Sequence, residues 1–342
     1  MEIKIQLKDS SYDIYTGRNI LKNLSKFFDF ENKKVLIVTD SNIPEEYIEQ
    51  IKNQITITSI IVLNPGESSK SFDSYIKIMD ELLNYNFSRK DIIISLGGGV
   101  ISDLVGFVSS SYKRGIKYIN IPTSTLAMID SSIGGKTSIN YKEIKNVIGS
   151  FYQPSFVLID FDLLNTLSQR NFNNGLVEAL KMGYIYDSSI LELFNGDINS
   201  NLEKIINKSI LGKKYFVEQD EKEEGIRKIL NYGHTFGHGF ESLAHFSNKL
   251  YHGEAVALGM LMVNEEKDEL EKYLKLLNIS YDFDIEEEKL KEIILQDKKI
   301  DGDYIDLIMV DKISEGYIKK TSLNELDNIL KGGISYVRHF RK

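Results

Sequence analysis

The sequence of 342 residues contains no cysteine, which limits both its cross-links and the ligands it can offer to a metal ion. Disulfide bonds are excluded, and the composition fits a reducing compartment. A tightly held transition metal would have to be bound by histidine, aspartate or glutamate. Because only five histidines are present, the candidate imidazole ligands are few.

The chain also lacks a basic excess and a long apolar run. Its net charge is −8, which argues against a general nucleic-acid binder, although local lysines can still bind a small anionic substrate. No segment approaches the ~18 apolar residues that span a bilayer. The first fifteen residues, MEIKIQLKDSSYDIY, have no apolar signal segment. We therefore expect a cytoplasmic protein with neither a nucleic-acid nor a membrane partner.

Up to about residue 160, hydrophobic runs of strand length alternate with segments of helical spacing. Strands are predicted as a pair within 1–18 and at KKVLIV, 55–63, DIIISL, KYINIP and FVLID, and helices at 19–30, 44–54, 71–86 and directly after GGG. This alternation predicts a doubly wound, Rossmann-like α/β domain with a mostly parallel sheet. Beyond Asp162 the spacing is nearly all helical, except for a strand pair (DYIDLIMV and EGYIKKTSL) before a last helix, NELDNILKG.

Four of the five histidines fall within one stretch of the second half: His234, His238, His245 and His252. His234 and His238 are four residues apart, so in a helix they project from one face. His252 is predicted to begin the next helix. Imidazoles from two helices could therefore converge on one ion, with a carboxylate completing the ligand set. The alternative, that these are surface or capping histidines, remains open at this point.

A carboxylate that could complete this set lies in the segment GLVEALK. Glu178 and Lys181 are three residues apart and would share a helix face. They could form an ordinary surface ion pair. Alternatively, Glu178 could be the carboxylate ligand that accompanies the histidines.

Three loops that follow predicted strands have residues suited to a dinucleotide. The segment 96–103, LGGGVISD, places three glycines between a strand and a helix, where backbone N–H groups can approach a pyrophosphate. Taken alone it could also be a tight turn, because it does not match GxGxxG. The loops 39–42 (TDSN) and 65–70 (PGESSK) supply acidic side chains that can accept a hydrogen bond from a ribose hydroxyl. Together the loops favour dinucleotide binding at the carboxyl ends of the strands.

Several cations precede or surround the histidine stretch. The segment DSSIGGKT resembles the end of a P-loop, but the P-loop spacing requires glycine where this chain has Asp130. Lys136, behind two glycines, can still anchor an anion. With Lys181, Lys213 and Arg227 it could bind a doubly charged substrate, although each cation alone would fit a surface charge.

Taken together, these motifs resemble those of the 3-dehydroquinate synthase family within the sugar phosphate cyclases. The matching segments include GGGVISDLVGF, YKRG, IPTSTLAMIDSSIGGKT, KNVIGSFYQP, GLVEALKMG, NYGHTFGHGFE, HGEAVALGM and QDKK, in the family's order between residues 40 and 300. The resemblance implies an NAD-binding α/β domain over 1–160 and a helical domain that binds metal and substrate over 161–342. It also implies NAD and one divalent metal ion, zinc or cobalt, as cofactors, and a homodimer.

The resemblance assigns roles to individual residues. The metal ligands would be Glu178, His234 and His252. Contacts to NAD would come from Asp40, Asn42, Glu67, Lys70, Gly98, Gly99, Asp103, Thr123, Ser124, Lys145 and Thr166. Contacts to substrate would come from Asp130, Lys136, Asn146, Lys181, Lys213, Glu223, Arg227, Asn231, His238 and one of Lys298 and Lys299. Arg114 would be delivered across the dimer interface.

The activity implied by the resemblance is conversion of 3-deoxy-D-arabino-heptulosonate 7-phosphate to 3-dehydroquinate and phosphate in the shikimate pathway. Two positions depart from the family pattern. The segment TLSQRN stands for T-L-P-x-R-E, and Gly239 stands where alanine is usual. A 2-deoxy-scyllo-inosose synthase is an alternative, but its substrate has no carboxylate for Lys213 and Arg227 to bind. A metal-dependent polyol dehydrogenase, which would share the domain plan, and a non-catalytic dinucleotide sensor, which would need no metal ligands, also stay open.

Overall fold

The computed structural model describes residues 1–142, 144–244, 249–295 and 300–341. The chain forms two compact units, Met1–Ser168 and Gln169–Lys342. The assignment of separate functions to two domains stays a prediction. Lys298 and Lys299 lie outside the described residues.

The first unit is built around one seven-stranded sheet in the order β1-β2-β9-β6-β5-β3-β4. Its strands are β1 (Glu2–Ile5), β2 (Tyr12–Gly17), β3 (Val35–Asp40), β4 (Ser59–Leu63), β5 (Ile92–Gly97), β6 (Lys117–Pro122) and β9 (Phe156–Asp160). A separate hairpin pairs β7 (Lys136–Tyr141) with β8 (Ile144–Phe151). The helices are α1 (Glu45–Lys52), α2 (Phe72–Asn84) and α3 (Gly99–Ser111).

The central strands are parallel and apolar, as expected for a sheet covered on both faces. β3 and β5 are buried along almost their whole length, and Leu36, Val38 and Ile93 pack with Ile101 and Leu104 of α3. From β3 the chain crosses to β4 on one side and then returns to β5 on the other. This reversal is the topological switch point at which open α/β sheets bind ligands, and it places the loop after β3 beside the loop after β5.

The strand predictions for this unit are confirmed, and one helix prediction is wrong. Residues 19–30 form only a short 3₁₀ turn over Leu21–Lys26 rather than a longer helix. The sequence analysis assigns no strand to the segment that forms the hairpin β7–β8. A π-helical turn, Ala127–Ser131, precedes the hairpin and contains Asp130.

The second unit is mainly helical, as predicted. Its helices are α4 (Gln169–Ile185), α5 (Ser189–Phe194), α6 (Ile198–Gln219), α7 (His234–Leu243), α8 (His252–Val263), α9 (Lys267–Leu276), α10 (Glu287–Leu295) and α11 (Leu323–Phe340). A three-stranded antiparallel sheet joins β10 (Ile300–Asp301), β11 (Tyr304–Val310) and β12 (Gly316–Ser322). The last helix continues beyond NELDNILKG through most of the basic tail. Among the helices of the described residues, none is both long and apolar enough to cross a bilayer.

Glycines allow α7 and α8 to pack closely. Gly233, directly before α7, has a left-handed φ of 77°, which a side chain rarely adopts. A Cβ added to Gly259 of α8 would lie 1.9 Å from the carbonyl oxygen of Gly233. The two backbones therefore approach at a distance that only glycine permits, and this brings His234 and His252 near each other.

Candidate functional site

Glu178 and Lys181 are buried inside the second unit and do not form a surface pair. Both side chains are only 1% exposed, and the Lys181 ammonium forms an ion pair with Oε2 of Glu178. Oε1 of Glu178 is buried and has no hydrogen-bond donor among the described residues. The ion pair at Oε2 also lacks hydrogen-bond geometry. Leaving buried carboxylate oxygens without donors is costly, so this group is suited to a bound cation.

Two imidazoles face the free oxygen of this carboxylate. Nε2 of His234 and Nε2 of His252 each lie 3.7 Å from Oε1 of Glu178. One ligand atom from each of the three residues lies within 4.8 Å of the others, as in a metal-ligand cluster. Two imidazole nitrogens and a carboxylate oxygen are a ligand set typical of zinc, with a position left for water or substrate. The residues therefore fit the divalent metal ion that the sequence implies.

His234 is held in the form that binds a metal. Its Nδ1 lies 3.1 Å from the carbonyl oxygen of Tyr232, an acceptor that places the ring proton on Nδ1 and leaves the Nε2 lone pair free. Burial, with the Lys181 ammonium and the neighbouring imidazoles, holds the pKa of His234 well below its ordinary value. The ring is therefore neutral at physiological pH, as metal ligation requires.

His238 lies one turn further along α7 and is exposed. Its ring centroid is 5.6 Å from that of His234 and 6.2 Å from that of His252. His238 is therefore beside the cluster but not among the ligand atoms that surround Glu178. A second group of potential ligand atoms joins His238 and His252 with Glu241.

The start of α8, where His252 lies, is fixed by side chains from α4. Oδ1 of Asn174 accepts hydrogen bonds from the backbone N–H groups of Gly253 (2.6 Å) and Glu254 (3.2 Å). The Arg170 guanidinium donates two bonds, of 2.7 and 2.8 Å, to the carboxylate of Glu254. These contacts satisfy first-turn N–H groups, which have no partner within a helix, and set the position of His252.

We expect Gly253→Ala to displace His252. A Cβ at this position would lie 2.0 Å from the backbone oxygen of Asn174, so α8 must shift away from α4. Such overpacking costs about 1–3 kcal/mol, and the affinity for Zn²⁺ should fall with it. Thermal unfolding and chelator competition measure the two effects.

Gly332→Ala is the matched control. Gly332 is an exposed helical residue of α11 with no atom within 4 Å of an added Cβ. Alanine there should stabilise the helix by about 0.5–1 kcal/mol and leave zinc affinity unchanged. Equal zinc affinity in both variants would contradict the positioning of His252 by this close approach.

The other predicted substrate residues of the second unit are buried or paired. Asn231 donates a 2.6 Å hydrogen bond from Nδ2 to Oε1 of Glu223, which has a left-handed φ of 61°. Lys213 and Arg227 are buried, at 5% and 1% exposure, and a guanidinium N–H of Arg227 donates to the carbonyl oxygen of Glu221. Buried cationic side chains are suited to binding an anionic ligand.

In the first unit, two of the predicted loops meet at the switch point. Asp40 ends β3, and its Oδ1 accepts a 2.9 Å bond from the backbone N–H of Asn42. Burial raises the pKa of Asp40 above its ordinary value. Gly98 is the N-cap of α3 and Gly99 its first residue, so the N–H groups of that first turn border the same edge of the sheet.

The third loop is joined to the hairpin by a chain of polar contacts. The Lys70 ammonium contacts both the Asp103 carboxylate and Oδ1 of Asn146. Nδ2 of Asn140, in β7, donates a hydrogen bond of 2.7 Å to Glu67. Oδ1 of Asn140 accepts a hydrogen bond of 2.9 Å from the backbone N–H of Asn146. Burial raises the pKa of Asp103, and the ammonium opposes that shift. Four predicted residues are thus in one network.

The remaining predicted residues of this unit are dispersed. Thr123 and Ser124 follow β6, and the Thr123 N–H donates to the carbonyl oxygen of Gly97 (3.0 Å). The hydroxyl groups of Thr166 and Tyr47 are 2.9 Å apart. Lys136 is the exposed first residue of β7, Lys145 lies in β8, and Arg114 is exposed in a turn after α3.

Sequence reasoning missed three residues: Asn140 and Glu241, which lie against predicted residues, and Asn174, which binds the N–H groups directly after His252. Glu241 follows His234 by seven residues, a spacing that returns to the same helix face, so the sequence did contain a signal for it. Asn174 precedes Glu178 by four residues and also had such a signal. Asn140 had none, because its partner Glu67 is 73 residues away in the sequence.

Fold and site together define a class: a Rossmann-like unit joined in sequence to a helical unit with a carboxylate–imidazole cluster of metal-binding type. The models of the 3-dehydroquinate synthase N-terminal and C-terminal domains match residues 60–174 and 175–300. The 3-dehydroquinate synthase of Dictyoglomus thermophilum is 42% identical over 355 residues, covering 98% of this chain and 99% of the relative. The chain belongs to the 3-dehydroquinate synthase family, and it is an enzyme.

Solved structures agree on the fold. The 2-epi-5-epi-valiolone synthase of Streptomyces hygroscopicus, with NAD+ and Zn2+ bound, matches with a TM-score of 0.87 at 24% identity, over 98% of both chains. A 2-deoxy-scyllo-inosose synthase in complex with carbaglucose-6-phosphate, NAD+ and Co2+ matches with a TM-score of 0.83 at 20% identity, over 97% of this chain and 100% of that one. The predicted fold class is confirmed.

Proposed function

We propose that this protein converts 3-deoxy-D-arabino-heptulosonate 7-phosphate to 3-dehydroquinate and phosphate, using NAD and one divalent metal ion, zinc or cobalt. The observation that carries the proposal is the pair of imidazole Nε2 atoms, each 3.7 Å from the same buried oxygen of Glu178. Relatives of this activity with about 40% identity over nearly the whole chain support the same reaction.

The proposed metal residues are Glu178, His234 and His252. These three residues would hold the metal ion, which would supply a Lewis acid for the substrate oxygens, and the bound dinucleotide would supply reversible hydride transfer. Lys181, ion-paired with Glu178, offers a further positive charge beside the substrate oxygens. The exposed imidazole of His238, next to the cluster, is proposed to contact the substrate.

The proposed NAD-binding domain spans residues 1–160. The carboxylate of Asp40, oriented by the Asn42 N–H, suits a ribose hydroxyl. The first turn of α3, from Gly98, suits the pyrophosphate. Further contacts to NAD are proposed for Glu67, Lys70, Asp103, Thr123, Ser124, Lys145 and Thr166.

The residues proposed to bind substrate are polar and cationic. They are Asp130, Lys136 and Asn146 in the first unit, and Lys181, Lys213, Glu223, Arg227, Asn231 and His238 in the second, with one of Lys298 and Lys299. Their charge would hold the carboxylate and the phosphate and keep one flexible molecule oriented through several steps. With the dinucleotide bound, oxidation at C5 would make the adjacent C–H acidic, so that the phosphate could leave and accept that proton. Return of the hydride would precede ring opening and the intramolecular aldol reaction that closes the carbocycle.

A homodimer in the cytoplasm is proposed, with Arg114 contributed to the partner's site. Lys113, Arg114 and Gly115 have φ values of 50°, 63° and 125°, an unusual run of left-handed residues. Non-glycine residues in this region cost of order 1 kcal/mol each, so strain here supports a functional reason for the turn.

Mixing two inactive variants tests the dimer. If Arg114 acts across the interface, Arg114→Ala and Glu178→Gln subunits should together recover about a quarter of wild-type activity, because half of the dimers are mixed and each has one intact site. The subunits are refolded or co-expressed together, and sedimentation confirms the dimer. No recovery from mixed dimers would contradict the assignment of Arg114.

The overall reaction is tested with wild-type protein reconstituted with Zn²⁺ and NAD+. Phosphate release from the heptulosonate 7-phosphate, with dehydroquinate identified by mass and optical rotation, is the expected result. Phosphate release from glucose 6-phosphate alone would move the protein to the inosose synthases. Accumulation of NADH on simple polyols, without phosphate release, would indicate a polyol dehydrogenase.

A further inference from the structure

Glu241 is a buried carboxylate to which neither the sequence motifs nor the proposed function assigns a role. It lies in α7, seven residues after His234 and three after His238, and is 6% exposed. A carboxylate removed from water is unfavourable unless a cation or hydrogen-bond donor faces it. Its Oε2 lies 3.5 Å from Nδ1 of His252.

The two sides of the His252 ring face two different carboxylates. Nε2 is 3.7 Å from Oε1 of Glu178, and Nδ1 is 3.5 Å from Oε2 of Glu241. A neutral imidazole carries one proton. Glu241 is not among the proposed metal ligands, so the nitrogen that faces it, Nδ1, keeps the proton. Nε2 then presents its lone pair toward Glu178.

His234 has the same arrangement with a different acceptor. Its Nε2 is 3.7 Å from the same oxygen of Glu178, and its Nδ1 is 3.1 Å from the Tyr232 carbonyl oxygen. Both rings therefore turn Nε2 toward one point and Nδ1 toward an acceptor. Histidine ligands are commonly oriented in this way, and a carboxylate acceptor also increases the basicity of the ring.

We propose that Glu241 is the positioning residue of His252: it accepts a hydrogen bond from Nδ1–H, fixes the ring orientation and keeps Nε2 available to the metal ion. The inference rests on the proposed metal site and adds a residue outside its ligand set. His252 needs this support because its side chain is 30% exposed, against 10% for His234. The less buried ring has fewer packing contacts to hold its rotamer.

The test compares Glu241→Ala and Glu241→Gln with wild type for zinc affinity, measured by competition with a chromophoric chelator. Loss of such an outer carboxylate should weaken affinity about 10–100-fold in the alanine variant. Glutamine keeps an oxygen that can accept a hydrogen bond from Nδ1–H, so the glutamine variant should lose less zinc affinity. If the alanine variant does not fold, the glutamine variant is compared with wild type by its zinc affinity and its Co²⁺ absorption spectrum.

The tautomer of the His252 ring distinguishes a positioning role of Glu241 from a merely structural one. With five histidines in the chain, long-range ¹H–¹⁵N spectra can resolve each tautomer. Wild type should show His252 protonated at Nδ1, and this proton should exchange faster in Glu241→Ala while the His234 signals stay unchanged. Glu218→Ala is the matched control, because Glu218 pairs with Lys214 in α6 and should alter neither readout.

Three results would overturn the inference. Unchanged zinc affinity and an unchanged His252 tautomer in Glu241→Ala would remove the positioning role. Two zinc ions per wild-type chain, with one lost in the variant, would make Glu241 a ligand of a second ion with His238 and His252. No zinc bound by wild type would overturn the metal site itself, and with it the proposed function.

Discussion

Glu178→Gln is expected to lower both the affinity for Zn²⁺ and the turnover of the heptulosonate by more than about a thousandfold, or roughly 4 kcal/mol. Glutamine has almost the same shape as glutamate but lacks the negative charge of the carboxylate ligand. The remaining set would hold a divalent cation without a compensating negative ligand in a buried place. Chelator competition and phosphate release measure the two quantities.

The same substitution should also destabilise the metal-free protein. Lys181 is 1% exposed and would lose its carboxylate partner. Breaking a buried ion pair from one side costs about 3–5 kcal/mol. Glu178→Gln/Lys181→Met removes both charges, so it should recover much of the stability without recovering zinc binding. Zinc affinity within tenfold of wild type in either variant would exclude Glu178 as a ligand.

Lys181→Met is expected to bind zinc more tightly than wild type while losing catalysis. In the metal-free protein the variant leaves Glu178 as an uncompensated buried charge, at a cost of about 3–5 kcal/mol. In the zinc-loaded protein the ion neutralises that carboxylate, and the repulsion between ammonium and dication is gone. The difference between the two states appears as a gain of about 10- to 100-fold in zinc affinity.

This prediction has a signature that an ordinary destabilising mutation lacks. Zinc should raise the stability of the variant more than it raises that of wild type, because the ion supplies the positive charge that Glu178 has lost. Thermal unfolding with and without Zn²⁺ measures the difference. Lys214→Met is the control: its ion pair with Glu218 is partly exposed, and the change should cost at most about 1 kcal/mol with unaltered zinc affinity. Equal loss of stability with and without zinc would contradict the competition between Lys181 and the metal ion.

Much of the first unit could be predicted because its strands are local patterns. Runs such as VLIVTD and IIISLG are apolar over a strand length and end at polar or glycine-rich loops, so both the parallel sheet and its ligand loops follow. The hairpin of β7 and β8 could not be predicted in this way. Five of the eight residues of β8 are exposed, so the segment lacks the buried face that makes a strand recognisable.

The site in the second unit was only partly predictable. The spacing of His234 and His238 and the position of His252 at a helix start follow from the sequence. The burial of Glu178 and Lys181 does not, since an i,i+3 pair of opposite charges is equally typical of a solvated helix face. Their burial depends on the packing of α4 against α6 and α8, which involves residues far apart in the chain.

The sequence by itself determined which chemistry is available: no thiolate ligands, few imidazoles, one helical histidine pair, and strand-end loops suited to a dinucleotide. Only the tertiary structure decided which of those groups meet. It turned His234 and His252 toward one oxygen of Glu178, left His238 exposed beside them, and brought Glu241 to the far side of the His252 ring. Spacing fixes the face of a helix on which a side chain lies. The direction in which a ring nitrogen points is fixed by rotamers and by contacts between helices, and these exist only in the folded chain.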